Sequence, residues 1–494
     1  MKRILALLLC VTFLTVMLVA CADNNEPSRG DPAVTGPGPV VDSGDNGDGE
    51  EEYDGPPTFV PPDYTLPEKE ADVIRYTADG RRHIIVACFY DRYYDSSHTD
   101  IFDDPNVNDP ETAQMSLDKL REVEEKYNVY IEFVNMTWDG IIENIPISIM
   151  SGIPDADVYI ADTQFGIPAV LNGMATSLED MGIPADHDVF KPAGTNIVME
   201  SFKIPGQDKT YMFKPAEGIN TGMYMMGYNR DLLQSHGLED PQDLWDKGEW
   251  TWDVFREYCK VITNPAQDIY GWSGYWTNFL QSMLFSNDTV FAGGPTQSVD
   301  SPKTLEVLNF MHELYNVDKT ARPWDGDDWV INNSLHVEGK SGFWIAAFWI
   351  NEEQGGINAT FDIGMVPFPV GPQGNADTMA TTSVSGQYWF IPRYIKDAEE
   401  VFNVMYDLSN WFNGDLEYRD DIQWWKDNMI SEANIDAYMN VAGRMGFDLM
   451  MDLGFAPSIP LMLETTAGPA EYTPAQYAET YRQVYQDALD NYFG

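Results

Sequence analysis

The chain is 494 residues long, 44% hydrophobic and 13% aromatic, and carries 29 Lys and Arg against 79 Asp and Glu for a net charge of −50. That length exceeds what one hydrophobic core organises and calls for two lobes or domains. The charge repels phosphate backbones and anionic surfaces, which excludes nucleic acid as a partner.

At the start, Lys2 and Arg3 precede the apolar run "ILALLLCVTFLTVMLVA", the pattern of an export signal over residues 1–20. A membrane-spanning helix needs about 20 apolar residues. The run from Ile4 to Ala20 falls short of that, and it ends in "LVAC" rather than in a basic stop-transfer flank. "LVAC" resembles the bacterial lipobox, in which a peptidase cuts before the cysteine and the thiol carries diacylglycerol. The resemblance implies a mature chain that begins at Cys21 and is held to the lipid bilayer through it.

Residues 21–75 are rich in Pro, Gly, Asp and Glu and nearly free of large apolar side chains. Such a segment cannot bury enough surface to offset its ordering entropy, so a disordered tether is expected. The stretch from Ala22 to Pro67, about 46 residues of flexible chain, spans roughly 35–40 Å. Within it "DSGDNGDGEEE" has the composition of a calcium loop but the wrong ligand offsets, and reads as a solvated charge run.

"HIIVACFY" (83–90) is a β-branched run that predicts a buried strand. In "ETAQMSLDKLREVEEKYN" the residues Met115, Leu117, Leu120, Val123 and Tyr127 follow helical spacing, and "VYIEFVN" (129–135) predicts a second strand. "DGIIENIPISIMSG" predicts an apolar helix interrupted at Pro146, and "DADVYIAD" (155–162) a third strand. Strands alternating with helices imply parallel βαβ units, whose ligands sit beyond the carboxyl ends of the strands. Tyr90, Asp91, Arg92, Trp138 and Asp162 fall at or just after such ends.

From here the order of segments resembles the family 1 extracellular solute-binding proteins, the sugar-binding subunits of ABC importers. Trp138 followed by "SGIPDADVYIAD" is similar to the family's "W…ASG.PDV…D". "GMYMMGYNRDLLQSHGLEDP", "GEWTWDVFREYCKVIT", "LHVEGKSGFWIAAFW" and "FDIGMVPFPVGPQGN" resemble its "YYNKDLF…G…P", "W.TWDEF…AKKLT", "F..GKAAM…G.W" and "P.P.GP.G". The resemblance covers roughly residues 80–410. It departs after Lys340, where "SGF" replaces the usual small-apolar-Met, and beyond residue 411 only generic helices match.

The resemblance implies an α/β, two-lobed periplasmic-binding-protein-like fold with a hinge crossed more than once. Crossings are expected near Lys214-Pro215-Ala216 and near Pro367–Pro369. Lobe 1 is then 76–214 plus 368–410, and lobe 2 is 215–367 plus 411–494. Cys88 and Cys259 fall in different lobes and are expected as buried thiols. No CxxC or Cys/His spacing exists, so neither a metal nor a cofactor is expected.

The implied ligand is a carbohydrate, gripped at its polar edges by carboxylates and amides and covered on its C–H faces by aromatic rings. Trp349 falls at the family's ligand-stacking position, with Phe348 beside it. Tyr275 and Trp276, Tyr388 and Trp389, Trp138, Asp91, Asp162 and Asp328 complete the expected contacts. Trp250, Trp252, Phe255, Trp272, Phe343 and Trp344 read as core. The expected protein is a monomeric receptor on the outer face of the cytoplasmic membrane that serves the permease subunits of an ABC transporter.

Two rival classes remain. A glycoside hydrolase needs two carboxylates at fixed separation, which 79 acids make impossible to pick out by pattern; HExxH, GxSxG and a Gly-rich phosphate loop are all absent from the sequence. The same fold can also carry a peptide or another solute.

Overall fold

The structure is a computed structural model. It describes residues 40–41, 59–60, 64–68, 72–91, 95–103, 107, 109–192, 195–216, 224–274, 276–323, 338–346, 359–380, 382–383, 386–421, 435–436, 439, 441, 444–452 and 472–493.

The first lobe begins with β1 (Arg82–Cys88), α1 (Pro110–Tyr127), β2 (Val129–Asn135), α2 (Trp138–Met150), β3 (Val158–Asp162) and α3 (Thr163–Leu171). Local chemistry sets these boundaries. Asp109 caps α1 by accepting from Glu111 N at 3.0 Å, Pro110 opens its first turn, and Asn128 closes it in the left-handed region at φ 53°. Leu117, Leu120 and Val123 give α1 its buried stripe. β1 ends two residues before the expected limit, at Cys88, whose carbonyl takes the Met136 N–H at 2.8 Å. Phe89 and Tyr90 therefore leave the ladder and stand at the sheet's edge. The expected break at Pro146 does not occur. The ring lies on the buried face of α2 beside Ile142, Ile145 and Ile149, and that burial offsets the single hydrogen bond proline removes.

Two further strands, β4 (Met199–Phe202) and β5 (Met212–Pro215), extend this sheet before the chain crosses to the second lobe. There it forms β6 (Met225–Asn229), α4 (Trp252–Ile262), β7 (Tyr270–Trp272), α5 (Trp276–Ser286), α6 (Pro302–His312), β8 (Ser341–Ala346) and β9 (Ile363–Val366). It returns with β10 (Gln387–Phe390) and α7 (Ala398–Leu408), and α8 (Pro474–Phe493) is the last helix. Among the described residues the strands form a six-stranded sheet of order β2-β1-β3-β10-β5-β4 and a four-stranded sheet of order β9-β6-β8-β7, besides short two-residue pairs. β1 runs parallel to β2 and β3, and β10 antiparallel to β3 and β5.

Pro367–Pro369, expected at a crossing, stays with the second lobe. Val370 N donates to Trp250 O at 3.0 Å and Gly371 N to Ser286 O at 3.0 Å, so the return to the first sheet comes later, before Gln387. The C-terminal segment belongs to both lobes. Gln486 on α8 donates to Pro295 O at 2.9 Å in the second lobe, while Tyr492 donates to Pro205 O in the turn between β4 and β5 of the first. The expected tether also gives way before residue 75. Tyr64, Leu66 and Val73 pack against the core, Tyr394 donates to Pro67 O at 2.6 Å, and Arg75 pairs with the fully buried Asp157 at 3.0 Å.

Trp250, Trp252, Phe255, Trp272, Phe343 and Trp344 are all buried in the second lobe. Thr251 sits at the N-cap of α4, but its side chain makes no cap bond, and the Trp252 N–H goes to Val370 O at 3.1 Å instead. Cys88 and Cys259 lie buried in separate core clusters.

Candidate functional site

The carboxyl ends of β1, β2 and β3 point the same way, and the residues just beyond them gather at one edge of the first lobe. Side chains alternate across a sheet, so that edge presents two groups.

The first is aromatic. Phe89 follows β1, Trp138 opens α2 and Phe165 lies in the first turn of α3. Trp138 meets Phe89 edge to face at 5.0 Å between centroids and Phe165 at 5.2 Å, and Phe89 meets Phe165 at 5.9 Å. The two neighbours hold the indole in place while it stays half-buried. α2 begins there because Thr137, at φ 62°, turns the chain and accepts Gly140 N at 3.2 Å.

The second group is polar. Asn135 closes β2 and donates from Nδ2 to Asp91 Oδ1 at 3.0 Å, which fixes an exposed carboxylate beside the end of β1. Asp162 closes β3 and caps α3, accepting Gln164 N at 3.0 Å. Loss of solvent pushes the Asp162 carboxyl up to about 6, against the hydrogen bonds that favour its charged form. Gln387, the first residue of β10, pairs with Asp162 across the ladder, and the Tyr90 hydroxyl donates to Gln387 Oε1.

The structure thus brings Asp91, Trp138 and Asp162 to one edge. Trp276, Tyr388 and Trp389 are only 2%, 5% and 4% exposed. The expectation that these three contact a solute is revised by their burial. The register of β10 sends Trp389 into the layer with Phe213 and Phe402, and Tyr388 to the opposite face, beside Phe202 and under Lys214 Nζ. Tyr275, Phe348, Trp349 and Asp328 lie outside the described residues, as does Arg92.

Pattern reading passed over Asn135, Gln387, Phe89 and Phe165. For Gln387 a signal existed, since it directly precedes the aromatic pair in "GQYWF". Only the pairing of β10 with β3, however, places it beside Asp162.

An apolar platform next to amide and carboxylate groups can hold a polyhydroxylated ring by its face and its edges. Among the described residues no group of three or more His, Cys, Asp or Glu could hold a metal ion, and no helix is long and apolar enough to cross a membrane.

Residues 105–412 match the profile of the bacterial extracellular solute-binding protein family. A Brucella abortus protein whose name gives it as a binding protein is 23% identical over 358 residues, covering 68% of this chain and 78% of its own. Among solved structures, an ABC substrate-binding protein from Listeria monocytogenes in complex with cycloalternan superposes with a TM-score of 0.58 at 14% identity, covering 83% of this chain and 98% of its own. The maltose/maltodextrin-binding domain MalE from Bdellovibrio bacteriovorus bound to maltotriose does so with a TM-score of 0.55 at 14% identity, covering 83% and 100%.

Proposed function

This chain belongs to the bacterial extracellular solute-binding protein family, and from that premise we propose that it captures a carbohydrate, an oligosaccharide, between its lobes and delivers it to the permease of an ABC importer. The observation that carries this reading is the Phe89–Trp138–Phe165 cluster standing beside Asp91, Asp162 and Gln387 at the carboxyl edge of the first sheet. A transport receptor must release its cargo unchanged, so hydrogen bonds and apolar faces suffice and no nucleophile is required. The structural neighbours in complex with cycloalternan and bound to maltotriose support the same class of solute.

In this reading Asp91, Trp138 and Asp162 supply the first lobe's contacts. Tyr275, Phe348, Trp349 and Asp328 supply the second lobe's, on the strength of the motif around "GKSGFWIAAFW". Lipid attached at Cys21 holds the receptor, a monomer, at the outer face of the cytoplasmic membrane.

A thermal-shift screen of mono- and oligosaccharides tests the reading. A solute at 100 times its Kd adds about 2.7 kcal/mol of stability, and the sugar should be recovered intact. New reducing ends in the mixture would establish a glycoside hydrolase instead. A shift with peptides and with no saccharide would move the cargo to another class.

A further inference from the structure

Three residues meet at the edge of the first sheet. β1 and β3 pair Val86 with Val158 and Ala87 with Tyr159. Tyr90 follows the end of β1, beyond the last β1–β3 pair, and β3 itself ends at Asp162. On the other side of β3, Gln387 is the ladder partner of Asp162. In the sheet β3 lies between β1 and β10, so Tyr90, after β1, and Gln387, on β10, come from the two strands that flank it. The Tyr90 hydroxyl donates to Gln387 Oε1.

This fixes which end of the amide is available. A glutamine amide offers one acceptor oxygen and two N–H donors. With Oε1 occupied by Tyr90, the nitrogen remains, and no described group accepts from it; Gln387 itself is exposed. Asp162, its neighbour on the ladder, offers acceptor oxygens. Cross-strand neighbours have Cβ atoms about 5 Å apart. One donor and one acceptor at that separation match two adjacent hydroxyls of a sugar ring, the first accepting from Gln387 and the second donating to Asp162.

We propose that Gln387 is a specificity-determining residue of the carbohydrate site, reading a vicinal diol jointly with Asp162, and that Tyr90 is the positioning residue that turns its amide nitrogen toward the solute. The inference rests on the carbohydrate reading above and adds to it a residue and a hydrogen-bond polarity. A site that holds its donor in this way rejects a sugar in which either hydroxyl of the pair is missing, because the amide or the carboxylate then loses its partner.

The experiment is calorimetric titration of the full chain with maltotriose, cycloalternan and cellotriose, continued with whichever binds tightest. Gln387→Glu keeps the shape but replaces the donor by an acceptor, and should raise Kd at least 30-fold with an unchanged melting temperature. Gln387→Ala should raise it about 10-fold. Tyr90→Phe should raise it 3- to 10-fold in the wild-type background and have no effect in the Gln387→Ala background, a coupling that a merely structural tyrosine does not produce. Wild-type affinity in Gln387→Glu overturns the role of Gln387. An undiminished effect of Tyr90→Phe in the Gln387→Ala background overturns the positioning role. If none of the three saccharides binds, nor any sugar of the screen, the carbohydrate reading itself fails, and the inference falls with it.

Discussion

Asp448 accepts the backbone N–H of Phe291 at 2.7 Å with its own side chain fully buried, and the two residues are 157 positions apart. The carboxylate also takes Met450 N at 3.0 Å. It pins a segment that touches both lobes, because the ring of the adjacent Phe447 lies 5.9 Å from that of Phe202 in the first. Burial pushes the Asp448 carboxyl up to about 6, above its ordinary 3.8.

A raised acid has a definite effect on stability. Below pH 3.8 the group is protonated folded or unfolded; between 3.8 and about 6 the unfolded chain loses its proton while the folded chain keeps it, so stability falls across that window and is lowest above it. The shift corresponds to on the order of 2–3 kcal/mol. Asp448→Asn removes the titration. Its deficit against the wild type, measured by denaturant melts, should be largest near pH 4 and shrink by about that amount at pH 7. An equal deficit at both pH values would remove the assignment.

The N-terminal docking makes a second prediction. Arg75 is the counter-ion of Asp157, which has no solvent exposure. Breaking a buried pair from one side leaves an uncompensated charge, so Arg75→Ala should cost about 2 kcal/mol or more. A chain begun at Tyr64 should melt like the full-length protein. One begun at Glu68 loses Leu66 and the Tyr394–Pro67 bond, at about 2 kcal/mol. Identical melting of the two truncated chains would return those residues to the tether.

These contacts show which parts of the molecule were legible beforehand. β2 runs from Val129 to Asn135 as expected because its signals are local: an alternating apolar run set off by Asn128. Pro146 misled for the opposite reason, since its fate depends on what α2 packs against. The site divides along the same line. Asp91, Trp138 and Asp162 follow strand ends, which pattern reading finds. Trp389 and Tyr388 differ only in the parity of β10, while Gln387 shares the parity of Trp389 but stands at the strand's first position, and both facts are set by pairing with β3. The Tyr90–Gln387 bond joins residues 297 apart, a relationship that no local pattern encodes.

The lobes are joined by a chain that passes between the sheets after Pro215 and again before Gln387. Such crossings allow hinge closure. Small-angle scattering should show a smaller radius of gyration with saturating saccharide than without. An unchanged profile at saturation would indicate a cleft already closed.

The sharpest contrast is between two tryptophans. Trp252 is 3% exposed, stacks on Phe310 at 4.5 Å and donates from Nε1 to Ser286 Oγ at 3.0 Å. Trp252→Ala should therefore cost about 3–5 kcal/mol of stability and leave the affinity of the folded protein unchanged. Trp138 is half-buried and meets its neighbours only edge to face. Trp138→Ala should cost no more than about 2 kcal/mol of stability, the scale of its aromatic pairs. It should also weaken solute binding by about 2 kcal/mol, roughly thirtyfold in Kd. Trp349→Ala is expected to follow Trp138 if the motif places it on the facing wall of the cleft. The two measurements separate the roles, because a core residue moves the melting temperature and a platform residue moves the Kd. Normal binding by Trp138→Ala, together with a large fall in melting temperature, would make the aromatic cluster a packing feature and take the carbohydrate site away from this edge.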